Sequence, residues 1–138
     1  MSLANYFENV KGTGILGTAD PEGRVDLAIY ARPQVIDKET VAFLMEDHLS
    51  HRNVAANPHA AYLFLEDTEG YNGLRMHLTK TAEETDPEKI EALRRRSHVA
   101  EDFAAQGALL VSFKVDEVRP LAKEKSESNM PSVVAAEL

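Results

Sequence analysis

Turn signals cut the chain between Gly12 and Ala82 into short segments, and this punctuation constrains the fold more than any other feature. Asp20-Pro21-Glu22-Gly23, Asp37-Lys38-Glu39-Thr40 and Asn72-Gly73 each mark a reversal, and Pro33 disturbs a further extended run. The runs themselves favour strands. Val25, Leu27 and Ile29 alternate with Asp26, Ala28 and Tyr30, and Leu74, Met76 and Leu78 alternate with Arg75, His77 and Thr79. Residues 15–19, 41–45, 59–66 and 108–118 complete the set of six, with 59–66 apolar enough to expect cover on both faces. Helical spacing is confined to three places. Leu3, Tyr6, Phe7 and Val10 share one face near the start, and a two-turn helix follows Ser50. Asp86-Pro87-Glu88 supplies a cap, a first-position proline and an acid for a helix running to about Arg96, with Glu91 and Arg95 one turn apart. Closely spaced hairpins with few helices predict a mainly β (α+β) domain: a six-stranded antiparallel barrel rather than a doubly wound sheet.

A chain of 138 residues is one domain, long enough to bury a substantial core. No run approaches the roughly 20 apolar residues of a membrane helix. The start, MSLANYFENVKG, lacks the basic and apolar regions of a secretory signal. Cysteine is absent, which excludes disulfides and thiolate metal sites and fits a cytoplasmic location. The formal charge of −8 argues against nucleic acid as a partner, because phosphates are repelled over most of such a surface. Arg94, Arg95 and Arg96 fall at a helix end, where cations complement the dipole, so they read as a solvated terminus.

The segment Glu46–Phe64, EDHLSHRNVAANPHAAYLF, carries the densest chemistry. Ser50 reads as the N-cap of a helix stopped by Asn57-Pro58, with His51, Arg52 and Asn53 in its first turn. Free N–H donors, the positive dipole end, a hydroxyl and a cation together make a phosphate seat. The same residues also fit a plain capped connector. Other patterns are weaker. Gly12-Thr13-Gly14-Ile15-Leu16-Gly17 matches the dinucleotide spacing, yet it follows a helix and opens a strand, which is the reverse of the required context. His48 and His51 straddle a cap without a well-placed third ligand, so a zinc site is not expected. Ser50 beside His51 lacks the G-x-S-x-G elbow of a hydrolase. Tyr71, in the loop before Gly73, reads as a flap over a ligand or as a turn anchor.

The run from Val41 to Phe64 resembles the FMN-binding split barrels related to pyridoxamine 5′-phosphate oxidase. It contains a strand ending Val-Ala-Phe-Leu-Met45, a loop, Ser50 with Asn53 three positions on, Asn57-Pro58, and the strand Ala61-Tyr62-Leu63-Phe64. Ala28-Ile29-Tyr30-Ala31-Arg32-Pro33 lies where that family carries backbone and basic contacts to the flavin. The likeness spans about residues 13–82, with 109–118 as the closing strand, and is nearest to bacterial members with the same YARP and His-x-Asn elements. It implies a six-stranded split β-barrel with FMN as cofactor. By the same resemblance, Tyr30, Ala31, Arg32 and Pro33 lie at the flavin ring and phosphate, the strand end at Met45 and the loop residue His48 are cofactor contacts, and Ser50, His51, Arg52 and Asn53 lie at phosphate and ribityl oxygens. The family's Ser-Arg-Lys is here His48-Leu49-Ser50 or Leu49-Ser50-His51, so Arg32, Arg52 or Arg75 must replace its lysine.

The resemblance implies a small oxidoreductase of the flavin-reductase kind, with NAD(P)H as a candidate donor and no catalytic side chain, since flavin brings its own redox chemistry. The aromatic, Arg and His of the oxidase's substrate end have no counterpart in residues 112–138, which argues against vitamin B6 oxidation. The alternative is a non-catalytic carrier or sensor of flavin or haem, with His48, His51, His77 and His98 as candidate axial ligands. A homodimer is expected, because the family places flavin between subunits and Ala61, Leu63 and Leu65 need cover. Residues 1–119 form the expected domain, and the 120–138 tail, which lacks periodicity, is expected to pack on the partner.

Overall fold

The computed structural model of the chain describes residues 2–46, 48–96 and 108–121. Helix α1 (Leu3–Asn9) leads into β1 (Gly12–Ala19), β2 (Val25–Ile29), β3 (Gln34–Asp37) and β4 (Thr40–Met45). Helix α2 (Leu49–Ala56) precedes β5 (His59–Glu66) and β6 (Gly73–Glu84), and α3 (Pro87–Arg96) precedes β7 (Leu109–Pro120). All seven strands form one antiparallel sheet in the order β2-β1-β5-β6-β7-β4-β3. The expected count of six strands is therefore one short. The pairing of β2 stops at Ile29, and past Pro33, which has no N–H to donate, Gln34–Asp37 pairs with β4 through a bulge between Val35 and Asp37.

The two edge strands, β2 and β3, are consecutive in the chain. Seven strands laid flat would hold their outermost members about 29 Å apart, whereas the five steps from Ile29 to Gln34 reach at most about 18 Å. The sheet must therefore roll until its edges face each other across the Tyr30–Pro33 connector. Inside the roll lies an aromatic core. Phe7 meets Phe64 edge-on at 5.4 Å, and Phe43 lies 4.9 Å from Tyr62 and 6.0 Å from Phe113. Leu3, Tyr6 and Phe7 of α1 are buried in this core. The Tyr6 hydroxyl donates to Glu66 Oε2 at 2.6 Å. Burial, reinforced by that carboxylate, pushes the phenol well above its ordinary value.

Alternation in β2 runs against the usual orientation. Val25, Leu27 and Ile29 are 72%, 69% and 72% exposed, while Asp26, Ala28 and Tyr30 point to the rolled side. Ala61 and Leu63 of β5 are exposed as well, so the expected double cover of that strand is not provided within one chain. Ile15 pairs with both Ile29 and Leu63, and Gly17 with both Leu27 and Ala61, so these residues form one apolar outer face. The 122–138 tail and His98 lie outside the described residues, and so do the side chains of Arg94, Arg95 and Arg96.

Candidate functional site

The connector between the sheet edges is pinned from three directions. Tyr62 Oη donates to the carbonyls of Tyr30 at 3.1 Å and Ala31 at 3.2 Å. A side chain at Gly14 would collide with the Tyr62 hydroxyl and the Tyr30 carbonyl, so this close approach requires glycine. Arg32 Nη1 donates to the carbonyls of Phe7 at 2.8 Å and Val10 at 3.0 Å. Those acceptors lie at the end of α1, where carbonyls lack helical partners and positive charge is favoured. The Tyr30 ring packs edge-on against Phe43 at 5.9 Å, and its phenol hydrogen-bonds the Ser50 side chain. Burial raises the Tyr30 phenol above its ordinary value, with the Ser50 bond acting in the opposite sense.

Helix α2 starts earlier than its sequence suggests. His48, in extended backbone, is the N-cap and makes no side-chain capping bond. Ser50 is thus the second helical residue rather than the cap, and its hydroxyl is engaged by Tyr30. The helix is held to the sheet by Asn53, whose Nδ2 donates to Thr18 Oγ1 at 3.0 Å in a buried bond.

Between these parts lies a cleft of about 580 Å³. Ala42, Phe43, Leu44 and Met45 of β4 form one wall, Asp26 and the run from Ala28 to Arg32 a second, and His48, Leu49 and Ser50 a third, with Gln34, Glu46 and Ala108 completing it. Six of the residues expected from the sequence therefore converge: Tyr30, Ala31, Arg32, Met45, His48 and Ser50. The others do not line this cleft. Pro33 and Asn53 are buried beside it. His51 Nε2 lies 2.6 Å from Glu83 Oε1, which also accepts from Lys80 Nζ at 2.9 Å. Lys80 first, and His51 after it, hold the Glu83 carboxyl below its ordinary value. Arg52 is exposed, and Arg75, also exposed, donates to the Pro120 carbonyl at 3.3 Å.

Sequence reasoning missed Asp26, Gln34 and Glu46. Asp26 was legible, since it shares strand parity with Tyr30, but nothing local marked Gln34 or Glu46. The two carboxylates set the cleft's electrostatics against Arg32 and His48, and His48 Nε2 itself lies 2.9 Å from Glu46 Oε2. Among the described residues no three His, Cys, Asp or Glu side chains are placed to hold a metal ion, and no helix is long and apolar enough to cross a membrane.

No family model matches the chain, and no curated protein matches it by sequence. Solved structures do. An FMN-binding protein from Syntrophomonas wolfei subsp. wolfei superposes with a TM-score of 0.72 at 13% identity, covering 90% of this chain and 86% of its own. A protein of the pyridoxinephosphate oxidase family from Clostridium acetobutylicum, related to general stress protein 26, gives 0.63 at 13% identity over 88% and 87%. The haem-storage protein HutZ from Vibrio cholerae gives 0.60 at 17% identity over 87% and 95%. The chain therefore has the fold shared by FMN-binding and pyridoxine-phosphate-oxidase-type proteins, a fold that also serves a haem protein.

Proposed function

We propose that the chain is a flavin-binding protein that holds FMN in the 580 Å³ cleft and works as a small oxidoreductase of the flavin-reductase type. The observation that carries this reading is the cleft itself. Its volume falls within the 300–1,000 Å³ typical of small-molecule sites, its β4 wall is apolar, and it ends at the first turn of α2. The residues fit the ring better than the phosphate. Ala28, Leu44 and Leu49 offer apolar surface to a flat heterocycle, and the pinned Tyr30–Arg32 backbone fixes where its edge sits. The phosphate would rest on the N–H groups of the α2 first turn, which the His48 side chain leaves uncapped, with Arg32 the nearby cation and the His48 imidazole beside it. Asp26 and Glu46 oppose it.

A bound flavin would supply hydride and electron transfer; the chain's part is to place the ring and limit water around it. The apolar outer face of β2, β1 and β5 supports a symmetric homodimer, since such a patch needs cover and adjoins the cleft at Ile29. Haem is the second reading, favoured by His48 in the cleft wall, where its imidazole is a candidate axial ligand.

The test is titration of cofactor-free protein with FMN, riboflavin and haemin. Flavin uptake is expected, with FMN preferred over riboflavin by about tenfold for one charge-assisted hydrogen bond to phosphate, a gap that narrows with salt. A Soret band with no flavin uptake would transfer the assignment to haem. Steady oxidation of NADH or NADPH by the loaded protein would establish turnover, and none with several acceptors would leave a carrier.

A further inference from the structure

Gln34 is the first residue of β3, is 2% exposed and lies in the cleft wall, yet neither its Nε2 nor its Oε1 has a hydrogen-bond partner among the described residues. Leaving both halves of a buried carboxamide unpaired is costly, and native structures rarely tolerate it without a reason. The neighbouring cleft residues explain why the chain does not satisfy it. Ala42, its register partner on β4, has no polar side-chain atom, and Ile36 and Leu44, which share that face, add none. Gln34 sits in the wall of the cleft, so a molecule filling the cleft is the partner that its own chain does not supply.

We propose that the Gln34 carboxamide is a specificity group that reads a paired C=O and N–H on the ring bound in the cleft. This rests on the flavin reading above and extends it. A carboxamide presents one donor and one acceptor side by side, so it matches a cis-amide or imide edge in a two-bond pairing, as glutamine and asparagine do with nucleobase edges. The pyrimidine-dione end of a flavin has that edge. Haem does not: its propionates only accept, and would leave Oε1 unpaired. The residue therefore selects the class of ring while contributing nothing to the phosphate end.

Two properties of a single variant separate this role from a structural one. Gln34→Met keeps the length and unbranched shape but removes both polar atoms. Replacing an orphaned amide with an apolar isostere is neutral or stabilising, so the free protein should melt at or above the wild-type temperature. Riboflavin, which lacks the phosphate, should bind it more weakly by roughly five- to a hundredfold, the worth of two neutral hydrogen bonds. Riboflavin methylated at N3 cannot make the paired contact, so it should bind the wild-type protein correspondingly poorly, and the substitution should weaken it no further. Fluorescence titration and thermal melts read these values. Riboflavin affinity within twofold of wild type, or a melting temperature lower by more than about 4 °C, roughly 1 kcal/mol, would overturn the proposal while leaving flavin binding intact. Failure of the wild-type protein to take up either riboflavin or FMN would instead remove the flavin reading, and the role of Gln34 with it.

Discussion

Arg32 is the cation nearest the cleft, and its removal tests whether its first duty is structural. In Arg32→Ala the carbonyls of Phe7 and Val10 lose donors at 2.8 and 3.0 Å. Hydrogen bonds to a charged group are worth about 1.5–3 kcal/mol each. Both are part-buried here, so water replaces some of that worth, and the net loss should be about 2–3 kcal/mol. The end of α1 would then be released where Leu3, Tyr6 and Phe7 anchor it in the aromatic core. Urea unfolding followed by far-UV circular dichroism suits a chain without tryptophan. The melting temperature should fall by roughly 6–12 °C. Arg32→Lys should recover part of the loss, since an ammonium keeps the charge but not the planar group whose Nη1 reaches both carbonyls. A loss below about 0.5 kcal/mol for the alanine variant would refute the bracing role.

Two further outcomes follow from the site. Ser50→Ala should cost about 1 kcal/mol through loss of the bond to the Tyr30 phenol rather than loss of a cap; if the cost persists in a Tyr30→Phe background, the bond is not its source. Glu83 has its folded pKa depressed by Lys80 and His51, so its contribution to stability is present above the ordinary value of 4.5 and is lost as pH falls through the lower folded value. The stability gap between wild type and Glu83→Gln, measured by urea titration, should therefore shrink below pH 4.5; a gap that widens there would contradict the assigned pairing.

Much of the architecture was legible because turns and alternation are local signals. The Asp20–Gly23 and Asn72-Gly73 reversals, the three helices and the strand nature of Gly12–Ala19 follow from residue type and spacing. The seventh strand did not, because a four-residue edge after proline has too little pattern to show. Ser50 was misplaced for an instructive reason. A serine near a helix start looks like a cap, but here its hydroxyl is engaged by a tyrosine in the connector between β2 and β3, a long-range event no local rule contains. Their place in the first helical turn and the family resemblance imply ligand contacts for His51 and Asn53; the helix turns them toward Glu83 and Thr18. Gln34 was invisible, since its isolation is a property of its neighbours.

The short tether between the first and last strands of the rolled sheet has a mechanical consequence. Neighbouring strands elsewhere in the sheet are stitched by backbone ladders, but β2 and β3 share none. A molecule lodged beside that unstitched seam would bridge its two lips much as an extra rung would. Occupancy and rigidity of this edge pair should then rise together, and amide exchange across β2 and β3 would slow more on loading than it does in the interior ladders.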